Sequence, residues 1–272
     1  MRIAIQGQAG SFHHAVAKRY FSREIELVCC ETFHEVFASL KASRADQAVC
    51  AIENTLYGSI ADNYDLLVRY QFPIVGEEIE HIHQNLIARP HTKVTEIAEV
   101  YSHPVALDQC REWLEANLPN TEIIEHHDTA GAVEYVRSLD SPHAAAIAGA
   151  QAASLYDMPI LMPDIEDEKT NLTRFFILDP HGTTPANADK ASLVLTTSHD
   201  TGALYHALGV FNDHHVNLTK LQSRPIRGER FKYQFFIDAE CNAPTLAALI
   251  SELEAQHCTV YILGHYPAAT LY

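Results

Sequence analysis

The sequence predicts an α/β protein in which two lobes surround a cleft and a smaller βαββαβ module follows. Three observations lead there. Short apolar runs alternate with helix-period segments through the first 178 or so residues, and each run ends at a polar turn that opens a helix. An extended stretch leaves at Ile79 to Arg89 and the chain comes back through Ile160-Leu161, so it crosses out and returns. After Asp179 to Asp189, which has no apolar periodicity and reads as a linker, the rhythm becomes strand, helix, strand, strand, helix, strand. The expected boundaries are 1–180 for the first domain and 190–272 for the module. Within the first domain one lobe spans about 1–76 and 160–180, the other about 77–159.

In chain order, Ile3 to Ile5 is a strand and Gly7 to Ser11 a tight turn. Phe12 to Phe21 is a helix capped by Ser11. Strand, glycine turn and helix start together bind anions through free backbone N–H groups. Neither G-x-G-x-x-G nor a Walker lysine is present. Thr32 to Glu35 is a capping box, with Phe33, Val36, Phe37 and Leu40 at helical spacing. Gln47 to Ile52 is a strand ending at Glu53-Asn54-Thr55, and Gly58-Ser59 leads into a helix bearing Ile60, Tyr64 and Leu67. Ligands of open α/β sheets bind at such carboxyl ends of strands. Ile79 to Arg89 is one long strand. Glu99 to Tyr101 is the next, and Pro104 starts a helix whose stripe is Val105, Cys110, Leu114 and Leu118. Ile123-Ile124 lies in a strand, Asp128-Thr129 caps a helix through Val136, Ala144 to Ala148 is a strand and Gly149 to Tyr156 a helix. In the module, the helix from Gly202 to Asp213 turns Leu204, Leu208 and Phe211 inward, and Pro244 to His257 is the second helix.

A formal charge of −16 argues against nucleic acid or an anionic membrane as partner. It permits an anionic small substrate, because distant charge is screened within about 10 Å. The six cysteines include Cys29-Cys30 but no Cys-x-x-Cys, as expected of reduced thiols. The N-terminus has no signal-peptide pattern and no run reaches a membrane span, so a cytoplasmic place is expected. Among 17 histidines, His81-x-His83, His126-His127-Asp128 and His214-His215 invite a metal. None has a third and fourth ligand at useful spacing, so no metal is expected.

The stretch that concentrates chemistry is Thr170 to Leu178, polar at first and apolar from Phe175. Arg174 offers a fork of donors suited to a carboxylate, and Thr173 can donate or accept a proton. Alone, it reads better as an ordinary strand start with a solvated arginine. With the rest of the chain, it resembles the prephenate dehydratase family. Asn171-Leu172-Thr173-Arg174-Phe175 resembles that family's Thr-Arg-Phe signature. Ile52 to Thr55 with Gly58-Ser59-Ile60 and Asp65-Leu66-Leu67 resembles its second motif. Gly10-Ser11-Phe12, Tyr101 to Pro104 with Ala106-Leu107, and Asp128-Thr129-Ala130 resemble further cleft segments. The C-terminal module resembles the family's ACT regulatory domain, with Gly202-Ala203-Leu204 and Ser223-Arg224-Pro225 matching its phenylalanine-binding motifs.

The resemblance implies a two-lobed, periplasmic-binding-protein-like catalytic domain that converts prephenate to phenylpyruvate without a cofactor. Thr173 would be catalytic. Ser11, Phe12, Glu53, Asn54, Ser59, His103, Thr129, Asn171, Arg174 and Phe175 would contact substrate, with Arg174 either binding a carboxylate or bracing the lobes. Phenylalanine would bind at Gly202, Ala203, Leu204, Asn217, Ser223, Arg224 and Pro225, and the ACT domain would pair with a copy of itself as a homodimer or homotetramer. The family pattern departs at Gln8 (usually Pro), Ser11 (usually Thr) and Gln222 (usually Glu), the last bearing on feedback strength. With no helical chorismate mutase segment before Met1, a monofunctional chain is expected. Arogenate dehydratase, the same chemistry on the amino-acid analogue, and a non-catalytic two-lobed amino-acid-binding protein are the alternatives.

Overall fold

Ile3, Ala4 and Ile5 have almost no polar atoms to satisfy beyond their backbone, and they form the buried centre of the first strand, β1 (Arg2–Gln6). A computed structural model describes residues 1–270 of the chain. The chain packs as two compact units, Met1–Tyr64 with Ile79–Phe175, and Asp65–Glu78 with Phe176 onward.

From the N-terminus to Leu178 the strands fall in two sheets. After β1 come α1 (Phe12–Tyr20), β2 (Glu26–Cys30), α2 (Phe33–Lys41), β3 (Gln47–Asn54), the two-residue β4 (Gly58–Ser59) and α3 (Ala61–Tyr70). Then come β5 (Ile74–His81) and β6 (Asn85–Ala88). β7 (Glu99–Ser102), α4 (Pro104–Asp108), α5 (Arg111–Asn117), β8 (Glu122–Glu125), α6 (Thr129–Ser138), β9 (Ala144–Ala148) and α7 (Ala150–Leu155) follow. β10 (Ile160–Met162) and β11 (Leu172–Leu178) complete the series. β1 pairs in parallel with β2 on one side and β3 on the other, and β11 lies beside β3. The second sheet runs β10-β6-β9-β7-β8, with β7 parallel to both β8 and β9. Its β9 is Ala-Ala-Ala-Ile-Ala and fully buried, because helices cover both faces.

Several details refine or differ from the sequence expectation. β2 has no counterpart in the sequence reading, since Leu27 and Val28 are its only aliphatic residues and it is an edge strand. The long strand at Ile79 to Arg89 is two, broken at Ile82-His83-Gln84, where the Gln84 N–H donates to Glu166 Oε2 (2.8 Å) instead of to a ladder. The helix from Pro104 is also two. The Asp167 carboxylate accepts the N–H groups of Glu112 and Trp113, both at 3.0 Å, and so starts α5 afresh. Val105 is 41% exposed, and Ala106 and Leu107 are buried instead. Gly58-Ser59 pairs with Glu53 and Asn54 as a short ladder, and the expected helix opens just after it at Ala61. Ile160–Met162 pairs with β6 as the edge of the second sheet.

The second unit contains β12 (Lys190–Thr196), α8 (Ala203–Asp213), β13 (Asn217–Pro225), β14 (Tyr233–Glu240), α9 (Ala243–Ala255) and β15 (Thr259–Tyr266). The order βαββαβ, with strands arranged β13-β14-β12-β15, is ferredoxin-like. Ala207, Val210 and Phe211 of α8 are the buried residues, with Leu204 and Leu208 only half-buried. Gly264 meets Ile74 of β5 so closely that a Cβ would sit 2.3 Å from the Ile74 carbonyl oxygen. No helix among the described residues is long and apolar enough to cross a membrane.

The cap of α5 is testable. Asp167→Ala should lower stability by about 1–2 kcal/mol, read from the urea midpoint, because two orphan N–H groups lose their acceptor. A midpoint equal to wild type would show that Asp167 does not start α5.

Candidate active site

The pleat of β11 decides which groups of the central stretch meet. Successive side chains of a strand point to opposite faces, so Thr173 and Phe175 share one face and Arg174 takes the other. Thr173 and Phe175 line a cavity of about 330 Å³ within the first unit. Arg174 turns away and donates to Glu53 Oε2 at 2.8 Å. The carboxylate it meets is therefore the protein's own.

Asn54, at the carboxyl end of β3, holds Thr173 in place. Its Oδ1 accepts the N–H groups of Leu56 (2.9 Å) and Tyr57 (3.1 Å), which fixes the orientation of the amide. Its Nδ2 then donates to Asn171 Oδ1 at 2.7 Å, Thr173 Oγ1 at 2.9 Å and the Leu172 carbonyl at 3.2 Å. Because Thr173 Oγ1 accepts this bond, its own O–H remains available for another group. Asn171 is fully buried behind Asn54 and braces it rather than facing the cavity.

Helix starts surround the threonine. Gly10, at φ +92°, lets the chain turn into α1, and a Cβ there would lie 3.1 Å from the Ala152 backbone. Ser11 caps α1 by accepting the His14 N–H at 3.4 Å. Phe12 packs on Gly149, where an added Cβ would lie 3.0 Å from the ring. His103 Nδ1 accepts the Val105 N–H (3.2 Å) at the start of α4. Asp128 Oδ1 accepts the Gly131 N–H (2.7 Å) at the start of α6, beside Thr129. Ser11, Phe12, Asn54, His103, Thr129, Thr173 and Phe175 thus all line the cavity, whereas Glu53, Ser59, Asn171 and Arg174 do not. Ser59 lies opposite Glu53 in the β3–β4 ladder, outside the cavity lining.

Sequence reasoning missed several lining groups. Gln84 and Gln109 join through Nε2 and Oε1 at 3.0 Å. Gln84 sits in the strand break, and Gln109 in the gap between α4 and α5, both of which had read as continuous elements. Tyr57 donates its hydroxyl to Asp108 (3.0 Å), and burial, then that bond, push its phenol up to about 12. His13 is buried, accepts the Ala51 N–H on Nε2 at 3.4 Å and stands edge-on to Phe175, ring centroids 5.0 Å apart. Burial pushes its imidazole down to about 4, and burial also lowers that of His103. The signal for His13 was its place two residues after the Ser11 cap. Two histidine motifs do gain carboxylate neighbours. His83 Nδ1 lies 3.1 Å from Glu166 Oε1 and 3.2 Å from Asp164 Oδ1, but Lys169 Nζ, 3.8 Å from Glu166, already brings a cation there. His127 Nδ1 lies 3.2 Å from Asp128 Oδ2, whose other oxygen caps α6.

In the second unit, Gly202 at φ +85° precedes α8, whose first residues are Ala203 and Leu204. Asn217 starts β13 and donates to Glu240 (2.8 Å), while Ser223, Arg224 and Pro225 end it. Arg224 donates Nε and Nη2 to Asp65 Oδ1 at 3.2 and 2.9 Å. Gln222 Oε1 is buried without a hydrogen-bond partner among the described residues.

The folded imidazole of His13 resists protonation down to about pH 4, while the unfolded one takes a proton near 6.5. Stability should fall as pH drops from 6.5 toward 4, by up to roughly 3 kcal/mol from this group. Replacing His13 by Asn should flatten that part of the melting-temperature profile. Equal slopes for both proteins would show that His13 titrates normally in the fold.

Known proteins resemble the chain over nearly its whole length. The family model for prephenate dehydratase matches residues 3–183. A bifunctional chorismate mutase/prephenate dehydratase of Aquifex aeolicus is 34% identical over 273 residues, covering all of this chain and 75% of the relative. A solved structure described as GqqA, a novel type of quorum quenching acylase, superposes with a TM-score of 0.86 at 32% identity, covering 98% of each chain. A prephenate dehydratase from Arthrobacter aurescens, solved in complex with L-Phe, also gives 0.86, at 27% identity over 98% of this chain and 90% of that one. The chain belongs to the prephenate dehydratase family.

Proposed function

We propose that the cavity at Thr173 carries out the decarboxylating dehydration of prephenate to phenylpyruvate, and that Thr173 donates to the departing hydroxyl. The observation that carries this is the Asn54 bond, which makes Thr173 Oγ1 an acceptor on the protein side and leaves its proton for the substrate. In the reaction the bond to the ring carboxylate breaks and its electron pair enters the ring. The C–O bond breaks with its pair on oxygen, which takes up one proton and leaves as water. The ring becomes aromatic, so the driving force is intrinsic and the protein's task is placement and proton delivery. Thr173 is a weak acid, so it relays a proton that solvent replaces.

The substrate carries two carboxylates, yet no Lys or Arg is among the described residues lining the cavity. The backbone at the starts of α1 and α6 supplies the positive potential instead. The caps use the N–H groups of His14 and Gly131, which leaves those of Phe12 and of Thr129 to face an anion. Phe12 and Phe175 wall the ring. Glu53 and Arg174 brace the β3 and β11 ends that carry Asn54 and Thr173.

The βαββαβ module is proposed as an ACT domain that takes phenylalanine as effector. Asn217 and Arg224 lie seven residues apart on one strand, about 23 Å, too far for one amino acid to touch both. A second copy of the module, bringing α8 of one chain to β13 of the other, completes the site, which supports self-association.

Thr173→Ala should cut turnover about 10²-fold or more with the fold intact, measured as phenylpyruvate formed from prephenate, while Thr173→Ser keeps most of it. Near-normal turnover in the alanine variant removes Thr173 from the mechanism. Phenylalanine should change turnover or sedimentation coefficient of the full chain, and absence of both responses removes it as effector.

A further inference from the structure

The mechanism above leaves His13, a buried group of the cavity, unused. His13 Nε2 accepts the Ala51 N–H, and a backbone amide can only donate, so the ring's single proton sits on Nδ1. Nδ1 has no acceptor among the described residues, and His13 lines the cavity. Its ring is held edge-on to Phe175 at 89° and tilted against Phe33, with centroids 5.6 Å apart, so the donor's direction is set by packing. Phe175 is two residues beyond Thr173 on the same face of β11, about 7 Å along the strand. In prephenate the departing hydroxyl and the ring carboxylate are at opposite ends of the ring, roughly 6 Å apart from ordinary bond lengths.

We infer that His13 donates Nδ1–H to the ring carboxylate of the substrate, the one lost as carbon dioxide, while Thr173 holds the hydroxyl at the other end. This rests on the proposed reaction and adds a residue to it. A neutral donor is the right kind for that carboxylate. Loss of carbon dioxide moves the carboxylate's electron pair into the ring, and a cation beside it would stabilise the charge where it starts and oppose the step. A single neutral hydrogen bond orients the group with little of that penalty. Burial keeps the imidazole uncharged at neutral pH.

The product offers the test, because phenylpyruvate has lost this carboxylate and kept its side chain. His13→Phe keeps an aromatic ring against Phe175 and Phe33 without an N–H. It should lower kcat/KM for prephenate about tenfold, with inhibition by phenylpyruvate unchanged within about twofold. His13→Asn, whose amide nitrogen stands near the Nδ1 position, should recover most of the loss. Equal weakening of substrate and product, or no loss at all, overturns the inference. ¹⁵N spectra of the histidine-labelled wild type provide a check that needs no variant. They should show His13 as the Nδ1–H tautomer, and an Nε2–H tautomer also overturns it. A wild type that forms no phenylpyruvate fails the underlying reaction instead, and a His13 variant without effect leaves the Thr173 assignment standing.

Discussion

The bond from Asn54 Nδ2 to Thr173 Oγ1 is the contact on which the site depends. It joins residues 119 apart in the chain, the last of β3 and the second of β11. Two neighbouring β-strand ends are needed to bring them to 2.9 Å, and two backbone donors after Asn54 are needed to orient the amide. Thr55 adds a clamp: its N–H donates to the Leu172 carbonyl and its hydroxyl accepts the Leu172 N–H, both at 2.9 Å. A threonine that accepts from an amide keeps its own hydrogen to donate to another group. The fold therefore fixes the position of the Thr173 oxygen before any substrate arrives and leaves its hydrogen to donate, and such preorganisation costs nothing during reaction.

Much of this was legible in the sequence, and the failures share a cause. Strand ends followed by polar turns located Ser11, Asn54, His103 and Thr129 at the cavity, because the α/β pattern places such ends together. Thr173 and Arg174 were read as a pair, although the period of two along a strand separates neighbours onto opposite faces. Applying that period to Leu172 to Leu178 would have kept Thr173 and Phe175 and sent Arg174 outward. Gln84 and Gln109 were hidden for a different reason. Each lies where a long apolar pattern breaks, and the breaks are imposed by Glu166 and Asp167, more than 50 residues further on. Nothing local announces them. Ser59 lies outside the cavity lining because Gly58-Ser59 turns back along β3, opposite Glu53, before α3 opens at Ala61.

An acidic chain with a formal charge of −16 binding a doubly negative substrate looks unfavourable until the local field is considered. Side-chain cations are one remedy, but Arg174 is committed to Glu53, and the imidazoles of His13 and His103 are lowered by burial. What remains is the set of N–H dipoles at the starts of α1 and α6, fixed in place and short in range. Such a site attracts an anion without the long reach of a full charge. It holds the carboxylates by geometry, so the one that must leave is not trapped by an ion pair. The absence of lysine and arginine from the described lining is then what a decarboxylating site calls for: enough potential to seat the substrate, and too little to keep its charge from moving.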